Sequence, residues 1–331
     1  MQLQHHTVFK QHGLFAGWPS NHGAWQWGNE FLVGFMTGPY TGVMRGHKIG
    51  RPYTKMLARS FDGGENWSIE TPNVDFEASV VERDPPRFDL GGATIIRCCG
   101  VYDTGGEKCF SEGGFYLSHD RGWTWDGPFR FKGIEKLFQE KFECTARTDV
   151  VDNIVMVTNR VAHSFGTDRA FATVWNGERF ELRGIICNDF ARAACPSTVM
   201  VDGRLVTALR RANTQGYWIE AFASEDDGVE WRPLAVVCRM KSSNGNPPAL
   251  IETNGVLVCA WGDRDAHAIK VSLSNDRGES WSEPVIVRAG GKSDIGYPQL
   301  FRRKDGNVVC VYYWAEPGEH QHIEATRLTL F

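Results

Sequence analysis

The sequence predicts an all-β chain folded as a six-bladed β-propeller, with residues 1–331 forming a single domain. Three observations carry this. A motif, Ser-x-Asp-x-Gly-x-x-Trp, occurs four times, at Ser60–Trp67, Ser118–Trp125, Ser224–Trp231 and Ser274–Trp281. Asn-Gly and Asp-Gly pairs, the strongest short-range hairpin signals, stand between β-rich runs. No stretch sustains a helical apolar period, and 36 glycines punctuate the chain. The motif serines are spaced by 58, 106 and 50 residues, so the long gap holds one degenerate copy, assigned to "ATVWNGERFEL" around Trp175. A unit of roughly 55 residues gives about six units in this length, the size and number of propeller blades.

The elements follow in order. "WQWGNEFLVGFM" and "DVVDNIVMVTNR" read as weak hairpins, and "STVMVDGRLVTALRR", "ALIETNGVLVCAWGDR" and "QLFRRKDGNVVCVYYW" as strong ones. Each supplies strands one and two of a unit. "GFYLS", "IEAFAS" and "IKVSLS" supply third strands, each running into a motif, so the motif forms the turn from strand three to strand four. There Asp62, Asp120, Asp226 and Asp276 accept backbone N–H groups of their own turn, the glycine takes positive φ, and the tryptophan buries its ring. These aspartates are scaffold. The unit over about 84–125 fits the template poorly.

Composition narrows the partners. A net charge of −4 without a basic cluster leaves no footprint for nucleic acid or a membrane surface. No run of 18 apolar residues occurs, and "MQLQHHTVFKQHG" lacks the apolar core of a secretion signal. The nine cysteines are odd in number and several lie in apolar runs, which reads as reduced core thiols and a cytoplasmic setting. No Cys-x-x-Cys pair or other metal motif stands out, and no cofactor is expected.

In an antiparallel four-stranded blade the 1–2 and 3–4 turns share one face. The loops between strands two and three, and the lead-ins to strand one, share the other, where function is expected. That rim carries Arg45, His47, Arg160, Arg210, Arg211 and Arg264, with Glu143 and Tyr297 at lead-ins. Arg160, Arg210 and Arg264 recur at one position in successive units; converging guanidiniums suit a carboxylate. His47 sits in a loop, 37–54, far longer than a hairpin needs. Trp18, with Trp25, Trp27 and Trp218, offers rings for sugar stacking, and His22 lies beside the first lead-in.

The repeated motifs, as Asp boxes, and the blade plan resemble the sialidase superfamily over nearly the whole chain. The resemblance implies a six-bladed propeller that holds a substrate carboxylate with three arginines. It also implies a tyrosine nucleophile activated by a glutamate, and an aspartate as general acid–base. Position by position, the second arginine matches Arg210 or Arg211, the third Arg264, and the tyrosine Tyr297 in "GYPQL". Three positions depart. The first arginine falls on Gly17 of Gly17-Trp18-Pro19. The glutamate falls on Ala194-Cys195. No Asp or Glu lies between Thr37 and Arg59, where His47 is the nearest proton carrier.

The expected function is a carbohydrate-active enzyme of sialidase-like type. It is expected to be a glycoside hydrolase cleaving next to an anionic sugar, with Arg210, Arg211, Arg264, Arg160 and Arg45 as substrate contacts. Tyr297 would be nucleophile or electrostatic partner, and His47 or Glu143 the proton donor. Two alternatives stand beside it. One is a polysaccharide lyase on uronic-acid glycans, with Tyr297 and His47 as acid and base. The other is a non-catalytic propeller that binds glycans or proteins.

Overall fold

Asp202-Gly203 and Asn254-Gly255 close two-residue hairpins with all four residues at positive φ (47°, 79°, 51° and 78°), the backbone such turns require. The computed structural model describes residues 2–42, 47–76, 83–99, 113–137, 140–141, 147–160, 168–241 and 245–330. Among them are six antiparallel sheets of three or more strands. Sheet I contains Leu14–Gly17, Glu30–Pro39, Thr54–Ser60 and Ser68–Glu70, with Ala24–Trp27 as a second partner of Glu30–Pro39. Sheet II contains Ile95–Cys99, Gly114–Ser118 and Asp126–Phe129. Sheet III contains Asp149–Val151, Ile154–Arg160, Asp168–Trp175 and Phe180–Ile185. Sheet IV contains Arg192–Val201, Arg204–Asn213, Gly216–Ser224 and Arg232–Met240. Sheet V contains Ala249–Thr253, Val256–Asp263, Ala268–Ser274 and Val285–Ala289.

Sheet VI departs from chain order. Gly296–Arg302, Val308–Trp314 and His322–Thr329 are joined by the N-terminal strand Gln2–Phe9 as the fourth, outer strand, with Leu3 opposite Leu328. This explains why the sixth repeat has no Ser-x-Asp motif: its third and fourth strands are not connected by a turn. The only helical segment among the described residues is one 3₁₀ turn, Pro19–Asn21, and no helix is long and apolar enough to cross a membrane.

All four motif turns connect strands three and four where the sheet has four, and they share one hydrogen-bond pattern. The serine hydroxyl donates to the aspartate at 2.7–2.8 Å and accepts the glycine N–H at 2.8 Å. The aspartate also accepts the N–H four residues on, from Asn66, Thr124, Glu230 and Ser280, at 2.8–3.0 Å. Burial pushes the Asp62 carboxyl up, but the bonds from Asn66, Ser60 and Glu65 outweigh it and hold the group at about 2. Trp67, Trp125 and Trp231 donate Nε1–H to the motif glycine's carbonyl at 3.1, 2.9 and 3.0 Å. Trp281 Nε1 is buried and finds no acceptor among the described residues. The degenerate fifth turn keeps its tryptophan, whose Nε1 donates to Phe88 O at 2.7 Å.

Contacts divide the chain into two units, residues 1–71, 216–219 and 235–331, and residues 72–215 and 220–234. In the first, Phe15, Trp18, Phe35, Phe301 and Tyr313 form a core with Phe31, which stacks on Phe301 at 4.7 Å. Each such ring contributes roughly 2–3 kcal/mol by leaving water. In the second, Phe88, Phe115, Phe131, Trp175 and Phe180 do the same.

One irregularity recurs in strand one. Trp18, Cys195 and Tyr297 each precede a proline and each sit at positive φ (58°, 55° and 51°), an outlier for bulky residues. The ladders skip at these points, between Ala194 and Ser197 and between Gly296 and Gln299. In sheet I the 3₁₀ turn interrupts the strand instead. Proline cannot donate to a ladder, so X-Pro inside a strand forces a bulge, and a bulge re-aims side chains.

Candidate functional site

The bulge at Tyr297 lies in the first unit, and around it four ionisable side chains meet. Asp294, in the lead-in to Gly296–Arg302, accepts the Tyr313 hydroxyl at 2.6 Å and Arg264 Nη2 at 3.1 Å on Oδ1. His47 Nδ1 lies 3.0 and 3.1 Å from the two carboxylate oxygens. Arg264 Nη2 also donates to the Tyr313 oxygen at 2.6 Å, and its Nε to Ile295 O at 3.2 Å. The His47 ring meets Trp18 edge-on at 4.6 Å. Tyr297 completes the group, its ring 6.0 Å from that of Tyr313 and 5.8 Å from the Arg264 guanidinium.

The electrostatics follow from this packing. Burial pushes the Asp294 carboxyl up, but the hydrogen bond and charge of His47, the charge of Arg264 and the Tyr313 hydroxyl prevail and hold it below its ordinary value. Asp294 is therefore an ionised acceptor, and His47 Nδ1 must carry the proton between them. That leaves Nε2, which has no partner among the described residues, as the nitrogen that can take up or release a proton. Burial drives the Tyr313 hydroxyl well above its ordinary range against the pull of Arg264. Tyr313 thus stays a donor to Asp294 and is no base. Burial works against the Arg264 charge, but Tyr313, Tyr297 and Asp294 raise its affinity for the proton. Its Nη1 has no partner among the described residues.

Of the candidates from sequence, His47, Arg264, Tyr297 and Trp18 are brought together. Their roles need correction in two cases. Trp18 is 1% exposed, so it backs His47 and cannot stack on a sugar. Arg264 spends Nε and Nη2 on the protein, so only Nη1 could meet a ligand. Arg211, in the second unit, is fully buried and paired with Glu220 Oε2 at 3.1 Å and with Asp189; it is a scaffold ion pair, not a substrate contact. Arg210 is buried on Arg204–Asn213 in the same unit. His22 is buried after the 3₁₀ turn, its carbonyl against Gly34, where an added Cβ would come within 2.1 Å. Arg45, Glu143 and the Arg160 side chain lie outside the described residues.

Asp294 and Tyr313 escaped the sequence reading. The signal for Asp294 was its place two residues before Gly-Tyr-Pro; Tyr313, inside "CVYYW", carries no signal apart from its core. Among the described residues one His–carboxylate group is close enough to hold a metal ion, Glu316, Glu319 and His322. Most of its polar atoms are engaged by neighbours: Glu316 by Arg288 at 2.5 Å and Trp314 Nε1 at 3.0 Å, Glu319 Oε1 by Lys10 Nζ at 2.7 Å, and His322 by Glu324 at 3.1 Å, while the buried Glu319 Oε2 has no hydrogen-bond partner among the described residues. It is an internal ion network.

Six antiparallel sheets, four of them carrying a Ser-x-Asp turn, together with bulged first strands, define a sialidase-like six-bladed β-propeller. Solved structures bear this out at the level of fold. The chain is similar to a protein of unknown function from Dyadobacter fermentans DSM 18053 (17% identity, TM-score 0.74, 98% of each chain covered). It is similar to a Penicillium chrysogenum alpha-L-arabinanase complexed with arabinobiose (14%, TM-score 0.62, 98% of each chain). It is also similar to Trypanosoma rangeli sialidase (11%, TM-score 0.63, 98% of this chain and 59% of that one). Residues 99–310 match the BNR repeat-like domain, and the chain belongs to that family. No curated protein sequence matches it.

Proposed function

We propose that the protein is a glycoside hydrolase in which His47 transfers the proton at the scissile glycosidic oxygen. The observation that carries this is the His47–Asp294 contact at 3.0 Å. An ionised carboxylate on Nδ1 fixes the tautomer and orientation of the ring, as general acid–base catalysis requires. Tyr297 and Arg264 Nη1 border the cluster and would hold the sugar. An anionic substrate would meet one half-free guanidinium here, so neutral arabinosides belong in the test beside sialosides and uronides. The glycosidase names among the fold's neighbours support the substrate class.

A lyase reading has one observation in its favour. The carboxylate of this cluster is occupied by three donors, whereas hydrolysis ordinarily uses two working carboxylates. A single panel separates the readings. Reducing ends without ultraviolet absorbance support hydrolysis, reducing ends with absorbance from a new conjugated double bond support elimination, and silence across the panel overturns both.

A further inference from the structure

Asn246 is fully buried and makes no contact with solvent. Its Oδ1 accepts the Tyr297 N–H at 2.6 Å, and its Nδ2 donates, at a long 3.4 Å, to Ile295 O. The amide thus spans Gly296, which sits at φ 112° and could not be replaced: an added Cβ would lie 2.1 Å from Asn246 Oδ1. A Cβ on Gly262 would lie 2.9 Å from the same oxygen. Two glycines are therefore spent on letting this one amide approach the backbone. The Ile295 carbonyl that it holds is also the acceptor of Arg264 Nε. The flanking residues, Asp294 and Tyr297, are both members of the cluster.

We propose that Asn246 is the positioning residue of the site. It holds Tyr297 in its left-handed conformation and fixes the Ile295 carbonyl, and so sets where Asp294 meets His47 and Arg264. Asn246 acts through the main chain, its two hydrogen bonds going to the Tyr297 N–H and the Ile295 carbonyl. A bulky residue at positive φ persists only where its surroundings over-determine it, and such strain concentrates at functional segments. The catalytic consequence rests on the glycosidase reading; the positioning itself does not.

The test uses Asn246→Ala, Asn246→Asp and Gly262→Ala. Asn246→Asp keeps the acceptor for Tyr297 N–H and removes the donor to Ile295 O. Gly262→Ala crowds the segment and its amide together, its Cβ falling 2.7 Å from the Gly296 Cα and 2.9 Å from the Asn246 oxygen. Two readouts are taken. On any substrate found active, kcat falls by about tenfold or more in Asn246→Ala with KM within about twofold, since small misplacements of reacting groups cost rate before binding. Gly262→Ala shows the same pattern more weakly. Independently of activity, the Asp294 carboxyl carbon, followed by NMR, titrates at higher pH in Asn246→Ala than in the wild type. A lower melting temperature with kcat and the Asp294 titration unchanged in all variants that fold would overturn the proposal. An unmoved Asp294 titration sinks it even if the protein proves to act on no glycoside, and a moved one sustains it even then.

Discussion

Asp294→Asn removes the charge at the centre of the cluster and keeps its shape. Three donors point at the carboxylate: Tyr313 O–H at 2.6 Å, Arg264 Nη2 at 3.1 Å and His47 Nδ1 at 3.0 Å. A bond to an ionised acceptor is worth about 1.5–3 kcal/mol against 0.5–1.5 kcal/mol for a neutral one, so each loses roughly 1 kcal/mol. Arg264, 9% exposed at its side chain, also loses its counter-charge; full breakage of a buried pair costs about 3–5 kcal/mol, less where Asp294 is 20% exposed. The three bonds come to about 3 kcal/mol and the counter-charge brings the total to about 4–5 kcal/mol, which in a chain of 331 residues lowers Tm by about 6 °C. The amide also puts an NH2 donor where a carboxylate oxygen faced His47 Nδ1, so His47 loses its fixed tautomer and activity falls by roughly 10²–10⁴-fold. The pH dependence has a definite sign. The folded-state pKa of Asp294 is depressed, so its stabilisation is present above the ordinary carboxylate value and is lost as pH falls through the folded one. Scanning calorimetry at pH 7 and in acid measures both effects, and the Tm gap between wild type and variant should shrink in acid. An unchanged Tm at pH 7 together with full activity would refute the argument.

Other outcomes follow from the scaffold. Trp281→Phe should cost less stability than Trp125→Phe by about 1 kcal/mol, because only Trp125 gives up an indole hydrogen bond; denaturant unfolding of the two variants measures the difference. Asp62→Asn should lower Tm near neutral pH, and the deficit should disappear as pH falls from about 4 toward the folded-state value of about 2. Arg211→Met should destabilise by about 2–4 kcal/mol through the stranded, half-buried Glu220, seen as a drop in Tm. In any variant preparation that remains folded, substrate KM should be unmoved.

The fold was legible because its signals are local. A serine, an aspartate, a glycine and a tryptophan at fixed spacing close a turn by bonds within eight residues, and Asp-Gly or Asn-Gly closes a hairpin by backbone preference alone. The strand Gln2–Phe9 was not legible. Its run "QLQHHTVF" has little apolar alternation, and its partner His322–Thr329 is at the other end of the chain. Half of the candidate site was readable by position: His47 from its long loop, Arg264 from its recurrence, Tyr297 from Gly-Tyr-Pro. Spacing could not show that Arg264 is shared with Asp294 and Tyr313, or that Trp18 turns inward, since both depend on pairings between distant segments. The same limit made Arg211 look like a ligand contact: adjacent Arg210 and Arg211 point to opposite sides of a strand, and only the folded sheet shows which carboxylates each side meets.

The most direct measurement is the rate of glycoside cleavage by wild type and His47→Ala on the most active substrate of the panel, with circular dichroism confirming an intact β-fold in both. The account predicts a loss of roughly 10²–10⁴-fold in kcat for the variant, with stability lowered by only about 1.5–3 kcal/mol through the lost bond to Asp294. Equal rates in the two proteins would contradict it and remove His47 from the chemistry.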